Sequence, residues 1–339
     1  MESNRKTDHY CGNGIAYEVI APYIMRKCPE GKTPKVVIMS DREVSGYYYN
    51  RFEEQFLKLR IKPILVSNDC RNNNKGLSTL DTLFKNLVEF DLGRNDWLIA
   101  LGGGGVLDIC GFAASVFTGG INFLAVPTTM CAMTEGVLAR KSYLNSVGHK
   151  SEITSGFAPD VVIVDPTFLG TVPQKVSANG YASIMRIAML KDLDLIAGVK
   201  TRSDFRVYLN EIYKARAAIE HKDPELLLMG KELADAIESY FRFMNYSEGE
   251  ALALSLLSIF AGRKREAFVK IYEALGLPTR LEGCTSKMIM KTLSDSFEHR
   301  GLTKVKLVCP EEAHFRVVEM SVPEELELLG RRLQRIMDT

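Results

Sequence analysis

Four consecutive glycines, at residues 102–105, are the feature whose type and spacing most directly indicate chemistry. They separate an apolar run at 97–101 from a helix-like segment at 106–115, so the pattern predicts a strand, a glycine turn and a helix. Because glycine has no Cβ, such a turn can bring backbone N–H groups against a phosphate at the helix N-terminus. The turn therefore indicates nucleotide binding. Its spacing differs from the Gly-x-Gly-x-x-Gly of dinucleotide-binding units, and a plain strand-to-helix turn is the alternative.

Further polar candidates stand at the ends of strand-like runs or just after the glycines. Asp41 ends the first clear apolar run, where it can accept a hydrogen bond from a ribose hydroxyl or cap the following segment. Thr128 and Thr129 end another run, where parallel sheets bind ligands, although β-branched residues also fit strands for packing alone. Asp108 follows the glycines, and the helix dipole favours a carboxylate there whether its role is functional or structural.

Two lysines, Lys141 and Lys150, lie with Asn145 in a segment rich in small and polar residues. If the two ammonium groups converged on one anion, they would form a phosphate or carboxylate site, each acting as a compact point charge. As isolated surface lysines they would have no such role. The residues by themselves favour the surface interpretation.

The elements that position these candidates follow from the hydrophobic pattern. Short apolar runs rich in β-branched residues alternate with helical patterns up to about residue 170, which predicts a Rossmann-like α/β domain with a mostly parallel sheet. From about Val176 onward the spacing is mainly helical. We therefore predict an α/β domain over residues 1–173 and a mainly α-helical domain over 174–339. The polar stretch 68–76 predicts a surface loop.

The length, composition, net charge and cysteine count restrict the class of protein. A chain of 339 residues with 46% hydrophobic and 25% charged residues has the composition of a globular protein, and a net charge of +1 implies no general attraction to nucleic acid or to an anionic membrane. Seven scattered cysteines without a Cys-x-x-Cys pair suit free thiols in a reducing compartment and disfavour a thiolate zinc site. We expect a cytoplasmic protein whose partner is a small molecule.

The order of these motifs resembles that of the dehydroquinate synthase superfamily, the sugar phosphate cyclases. In that family a Gly-Gly-Gly-x-x-x-Asp turn, a Val-Pro-Thr-Thr strand end, a Gly-Lys-x-x-x-Asn segment and a Thr-Leu-Pro boundary recur. Here the glycines with Asp108, Val126-Pro127-Thr128-Thr129, Lys141 with Asn145, and Thr171-Val172-Pro173 follow at the family spacing. Lys75 stands where the family carries a lysine near the nucleotide. The resemblance covers roughly residues 30 to 190 and is weak over the helical half.

The resemblance implies a dehydroquinate-synthase-like fold, a homodimer and an NAD that is used transiently while a substrate alcohol is oxidised, phosphate is lost and a ring closes. It makes residues 1–173 the NAD-binding domain and 174–339 the substrate-side domain. The implied cofactor-binding residues are Asp41, Lys75, Gly103, Gly104, Gly105, Asp108, Thr128, Thr129 and Thr171. The implied catalytic residues are Lys141, Lys150, Asn145 and Arg186.

The helical half departs from the family at its metal site. The family binds a divalent metal, usually zinc, through one glutamate and two histidines, and the corresponding residues here are Ser183, Lys231 and Glu248. Arg186 replaces the lysine of the first metal motif, and Asp235 replaces a further histidine of the second. This set lacks the ligands that hold zinc tetrahedrally, so zinc is not expected. An ion pair between Lys231 and Glu248 in place of the metal is one hypothesis.

Three functions remain open at this stage. The first is a diverged cyclase or lyase, a carbon-oxygen lyase of the sugar phosphate cyclase type, that acts with NAD on a sugar phosphate or related polyol without the family zinc. It ranks first because the lysine-bearing segment is retained beside the nucleotide turn. The second is an NAD-dependent oxidoreductase that keeps only the hydride step, since the nucleotide half is better preserved. The third is a non-catalytic pseudoenzyme subunit.

Overall fold

The computed structural model describes residues 6–71, 74–137, 140–146, 149–191, 202–312 and 314–337. The chain divides into two compact units, residues 1–173 and 174–339. All seven cysteines are free thiols. Within the described ranges, every helix is too short or too polar to cross a membrane.

A six-stranded sheet forms the centre of the first unit, with the strand order β1-β8-β5-β4-β2-β3. Every neighbouring pair in it runs parallel, which confirms the predicted α/β class. Strands β2, β4 and β8 are buried along their whole length, as expected for central parallel strands made of apolar residues. The strands of this sheet are β1 (Asp8–Cys11), β2 (Val36–Ser40), β3 (Ile64–Ser67), β4 (Trp97–Gly102), β5 (Asn122–Pro127) and β8 (Val161–Val164).

Helices connect these strands, and a small hairpin is inserted before the last of them. The helices are α1 (Ile15–Lys27), α2 (Arg42–Lys58), α3 (Leu77–Glu89) and α4 (Gly104–Val116), with short 3-10 turns at Phe117–Gly119 and Pro166–Gly170 and a π-helical turn at Ala132–Gly136. Strands β6 (Ser142–Ser146) and β7 (His149–Ser155) pair antiparallel in the segment that carries Lys141, Asn145 and Lys150. The sequence pattern did not predict this hairpin, because small and polar residues fill it.

Helices also dominate the second unit. They are α5 (Gln174–Lys191), α6 (Arg202–Lys222), α7 (Lys231–Tyr240), α8 (Glu248–Ser258), α9 (Gly262–Leu275), α10 (Ser286–His299) and α11 (Val322–Met337), with a 3-10 turn at Pro224–Leu228 and an antiparallel hairpin of β9 (Lys304–Pro310) and β10 (Phe315–Ser321). Helix α8 is the central one: after its first residue, nearly every side chain is buried. Ser247 and Glu250 fix its start by a reciprocal capping box.

A buried carboxylate on α11 makes the second unit sensitive to pH. The Glu325 side chain is 0% exposed, and neither of its oxygens has a hydrogen-bond partner in the described part of the chain. Burial, assisted by the charge of Glu232, raises the pKa of Glu325 to about 7 against the opposing effects of Arg300 and Arg332. The folded chain therefore holds this proton at a pH where the unfolded chain has lost it.

We expect the free energy of unfolding to fall by about 2 kcal/mol between pH 4.5 and pH 7, because only the unfolded state releases the Glu325 proton in that window. Glu325→Gln removes the ionisation and should flatten this part of the profile. Urea denaturation at a series of pH values measures it, with Glu327→Gln on the exposed face of α11 as the control. A wild-type profile identical to that of Glu325→Gln would contradict the assignment.

Candidate functional site

The carboxyl ends of β2 and β4 form the natural ligand-binding crevice of the first unit. These strands are neighbours in the sheet, with Ser40 paired to Leu101. The chain continues from β2 to β3 on one side and from β4 to β5 on the other. Ligands of open parallel sheets bind at such a switch point, outside the carboxyl ends. Asp41 follows β2 and the glycine run follows β4, so the sequence candidates lie at the expected place.

The four glycines differ in their surroundings. Gly102 ends β4, and Gly103 is the N-cap of α4, where no side chain caps the helix. A Cβ on Gly105 would stand 1.8 Å from the Cys70 carbonyl oxygen, so that glycine is required by backbone packing. A Cβ on Gly104 would meet no atom within 4 Å. Of these glycines, Gly104 therefore borders open space beside an uncapped helix N-terminus.

The first intrahelical hydrogen bond of α4 runs from the Leu107 N–H to the Gly103 carbonyl, at 3.1 Å. The N–H groups of Gly104, Gly105 and Val106 precede it and belong to the turn whose donors have no partner within a helix. These donors and the positive end of the helix dipole suit a phosphate group. The start of α4 thus provides the backbone N–H donors that the glycine pattern predicted.

Cys70, which the sequence analysis did not single out, holds Asp41 in place. The Asp41 carboxylate accepts the Cys70 N–H at 3.1 Å, and its side chain does not cap α2, so the capping alternative is wrong. Burial raises the pKa of Asp41, and the hydrogen bond from Cys70 opposes that shift. Burial also raises the pKa of the Cys70 thiol to about 12, so this thiol is not a nucleophile at neutral pH. No local sequence signal marks this cysteine.

The prediction of a surface loop over 68–76 is wrong at two of its residues. Cys70 and Lys75 are buried, with relative exposures of 2% and 4%. Both are held by long-range contacts to the first turns of α4, which a local polar composition does not reveal. Residues 72 and 73 of this stretch lie outside the described residues.

The two threonines after β5 have different environments. The Thr128 N–H donates to the Gly102 carbonyl at 2.9 Å, while the Thr128 hydroxyl is buried and has no hydrogen-bond partner among the described residues. The Thr129 hydroxyl accepts the Ala132 N–H at 3.3 Å and so helps to start the following helical turn. Thr129 therefore has a local structural role, and Thr128 carries a buried polar atom that a ligand could satisfy.

Lys75 and Asp108 form a buried ion pair. The Lys75 ammonium lies 2.8 Å from one Asp108 oxygen, and the other oxygen accepts the Tyr143 N–H at 3.1 Å. The Asn145 N–H donates to the Lys75 carbonyl at 2.8 Å. The pair therefore connects the loop before α3 to α4 and to the β6–β7 hairpin. Both residues were predicted to bind the cofactor, and these contacts give each of them a structural role.

The hairpin register separates the candidate lysines. Ser142 pairs with Ser155 at its open end and Ser146 pairs with His149 at its turn, which places Lys141 and Lys150 about 13 Å apart along the strands. Lys141 is exposed. Asn145 is buried, and its side-chain oxygen accepts the Ser151 N–H at 3.0 Å. Convergence on one anion would therefore depend on the length of the lysine side chains.

Thr171 lies at the end of the 3-10 turn that follows β8. Its hydroxyl is hydrogen-bonded to the Tyr48 hydroxyl of α2 and to the Phe168 carbonyl. Among the described residues, the hydrogen-bond partners of the Thr171 side chain are therefore not candidate cofactor residues. Its geometry supports a role in fixing this turn against α2.

The second unit contains the positions where the family carries its metal. Ser183 on α5 is buried with 2% exposure, and Glu248, the first residue of α8, is exposed. The Lys231 ammonium pairs with Asp235 at 2.9 Å, so the hypothesis of a Lys231–Glu248 pair is wrong. The Arg186 guanidinium donates to the Leu227 carbonyl at 2.9 Å. Within the described residues, no three His, Cys, Asp or Glu side chains are grouped to hold a metal ion.

Comparison with known proteins supports the resemblance to the dehydroquinate synthases. A family model described as 3-dehydroquinate synthase N-terminal matches residues 66–179. The 3-dehydroquinate synthase of Clostridium kluyveri is 27% identical over 300 residues, which cover 82% of this chain and 83% of that relative. The chain is thus similar to the dehydroquinate synthases over the glycine turn, the strand ends and the hairpin segment of the first unit. The resemblance carried by the sequence motifs is thereby confirmed.

Solved structures of this superfamily show that the fold extends over both units. The 2-epi-5-epi-valiolone synthase ValA of Streptomyces hygroscopicus subsp. jinggangensis, with NAD+ and Zn2+ bound, has a TM-score of 0.83 at 19% identity, and the match covers 98% of each chain. A 2-deoxy-scyllo-inosose synthase complexed with carbaglucose-6-phosphate, NAD+ and Co2+ has a TM-score of 0.78 at 17% identity, with 96% and 97% covered. The predicted two-part dehydroquinate-synthase-like fold is confirmed.

Proposed function

We propose that this dehydroquinate synthase-like protein is a diverged cyclase or lyase that uses NAD and acts on a sugar phosphate or related polyol without the family zinc. The observation that carries the cofactor part is the Thr128 hydroxyl, which is buried and without a described partner at the carboxyl edge of the sheet. It lies directly after β5, next to the uncapped start of α4. A nucleotide would supply the partners that the protein does not.

The residues at this edge fit NAD. The first-turn N–H groups of α4 would bind the pyrophosphate, and Gly104 leaves room for its approach. Asp41, oriented by Cys70, would accept hydrogen bonds from a ribose hydroxyl. When bound, NAD supplies a reversible hydride acceptor for a substrate alcohol. Lys75 and Asp108 would hold the hairpin that borders the site, and Thr129 and Thr171 would hold the adjacent turns.

The substrate part of the proposal rests on Lys141 and on the family resemblance. Lys141 is exposed and forms no ion pair within the described ranges, so its charge is available to an anionic group such as a phosphate. Lys150, Asn145 and Arg186 remain proposed catalytic residues on the family resemblance. A small-molecule substrate and a homodimer are part of the same proposal.

Zinc does not fit the residues at the family positions. A buried hydroxyl at Ser183 and an ammonium at Lys231 offer no good ligand, which leaves Glu248 as the one carboxylate of the three. The proposed reaction therefore has no step through a metal. This donor set also favours the second candidate, an NAD-dependent oxidoreductase, because hydride transfer depends on cofactor placement.

The proposal is tested by incubating the purified full chain with NAD and a panel of six- and seven-carbon sugar phosphates, while inorganic phosphate and NADH are followed together. A cyclase or lyase releases phosphate only when NAD is present and accumulates no net NADH. Net NADH formation without phosphate would replace the proposal by the oxidoreductase. Neither product, from a chain that binds NAD, would replace it by the non-catalytic subunit.

A further inference from the structure

Helix α8 packs against both of the other elements that carry family metal positions. A Cβ on Gly249 would stand 2.2 Å from the Asn179 Cα, so the first turn of α8 packs directly on α5. A Cβ on Gly230 would lie 3.3 Å from a Leu252 methyl and 3.1 Å from a Leu256 methyl, so the start of α7 packs on the next turns. Positions 183, 231 and 248 are within one helical turn of these contacts.

A lysine and its carboxylate stand at this junction. The Lys231 ammonium has three N–H donors, and Asp235, one turn along the same helix, accepts one of them at 2.9 Å. No other hydrogen bond to Lys231 is present in the described structure. The Lys231 side chain is 38% exposed, so its head group is accessible while Asp235 restrains it. A restrained cation with donors to spare can bind an oxygen atom of a ligand.

A second cation approaches the same junction. Arg186 lies three residues after Ser183 and therefore shares a face of α5 with it. Its guanidinium donates to the Leu227 carbonyl, which precedes Lys231 by four residues. The charged groups near the start of α7 thus include Lys231, Arg186 and Asp235, while Glu232 in the same turn pairs with Arg300 at 2.9 Å.

We propose that the Lys231 ammonium, held by Asp235, takes the place of the divalent cation in this chain and donates hydrogen bonds to a hydroxyl or ketone oxygen of the polyol substrate. This inference rests on the proposed function and assigns the group that polarises the substrate. The substrate oxygen accepts from Lys231, because an ammonium has no lone pair to offer. Preorganised donors of this kind stabilise charge that develops on oxygen.

The metal part of the inference is tested by titrating zinc alone into the chelator-dialysed full chain. The wild type should bind no stoichiometric zinc. The variant Lys231→His, Glu248→His should gain stoichiometric zinc, because it restores histidines at two family metal positions with Asp235 one helical turn from position 231, and either single substitution serves as the control. Stoichiometric zinc on the wild type, or no zinc on a double variant that is folded by circular dichroism, would overturn the inference.

The catalytic part uses Lys231→Met and Lys231→Arg in the phosphate-release assay. Lys231→Met should lower kcat by about 100-fold with unchanged affinity for NAD, and Lys231→Arg should recover part of the loss because it keeps the charge and donors. Wild-type turnover in folded Lys231→Met would overturn the inference and leave the proposed function standing. An inactive wild type would instead count against the proposed function.

Discussion

Replacing Lys75 with methionine should lower the free energy of unfolding by about 3–5 kcal/mol, because it removes the ammonium that lies 2.8 Å from the largely buried Asp108 carboxylate. The side chains of the pair are only 5% and 18% exposed, so water does not restore the lost interaction. The Tyr143 N–H would still donate to the other oxygen of that carboxylate. Urea denaturation measures the change.

Lys85→Met is the matched control, because Lys85 forms an ion pair with Asp81 on the exposed face of α3. It should change stability by less than about 1 kcal/mol. The double variant Lys75→Met, Asp108→Leu should recover much of the loss, since neither charge then remains buried. Equal stability of Lys75→Met and Lys85→Met, with weaker NAD binding by Lys75→Met, would show that Lys75 is a cofactor ligand rather than a structural residue.

Gly105→Ala should cost about 2–3 kcal/mol of stability, because its methyl group would stand 1.8 Å from the Cys70 carbonyl oxygen and would force the two segments apart. Gly104→Ala is the control within the same helical turn. Its methyl meets no atom within 4 Å, so stability should change by less than about 0.5 kcal/mol. Thermal or urea unfolding of both variants measures the difference.

The two glycine variants should also separate structure from cofactor binding. Gly104→Ala should weaken NAD binding by about tenfold or more, because the new methyl occupies space that the pyrophosphate needs, and one order of magnitude is about 1.4 kcal/mol. A folded Gly104→Ala variant with unchanged affinity would mean that the cofactor does not approach this turn. Wild-type stability of Gly105→Ala would mean that the backbone at Cys70 can move away from the new methyl group at little cost in free energy.

The parallel sheet could be predicted because its strands and helices carry strong local patterns. The apolar run predicted at 97–101 is a strand that ends at Gly102, and the helix-like segment predicted at 106–115 lies within helix α4. Buried parallel strands are continuous apolar runs, whereas the apolar residues of the helices between them recur with the helical period. The two kinds of element can therefore be distinguished from a single sequence. Strand β1, helix α1 and the β6–β7 hairpin lack such patterns, and they were not predicted.

The candidate site was predicted in its position but not in its contacts. Asp41, Thr128 and the glycines lie at strand ends that local patterns locate. The partners of Asp108 are 33 and 35 residues away in the chain, and Cys70 lies 29 residues from Asp41. Such contacts depend on tertiary packing, for which a single sequence carries no periodic signal.

In the helical unit, an ion pair between Lys231 and Glu248 was one hypothesis, because both residues stand at family metal positions. The structure instead pairs Lys231 with Asp235. An aspartate four residues later on the same helix is a standard ion-pair spacing, so the local rule would have given this partner.

The central claim, that NAD binds at the carboxyl edge of the first unit, is tested most directly by calorimetric titration of NAD into the full chain and its Thr128→Val variant. The predicted result is saturable binding by the wild type and weaker binding by Thr128→Val at unchanged stability, because the buried hydroxyl has no described partner within the protein. Absence of NAD binding by the folded wild type at millimolar concentrations would contradict the account.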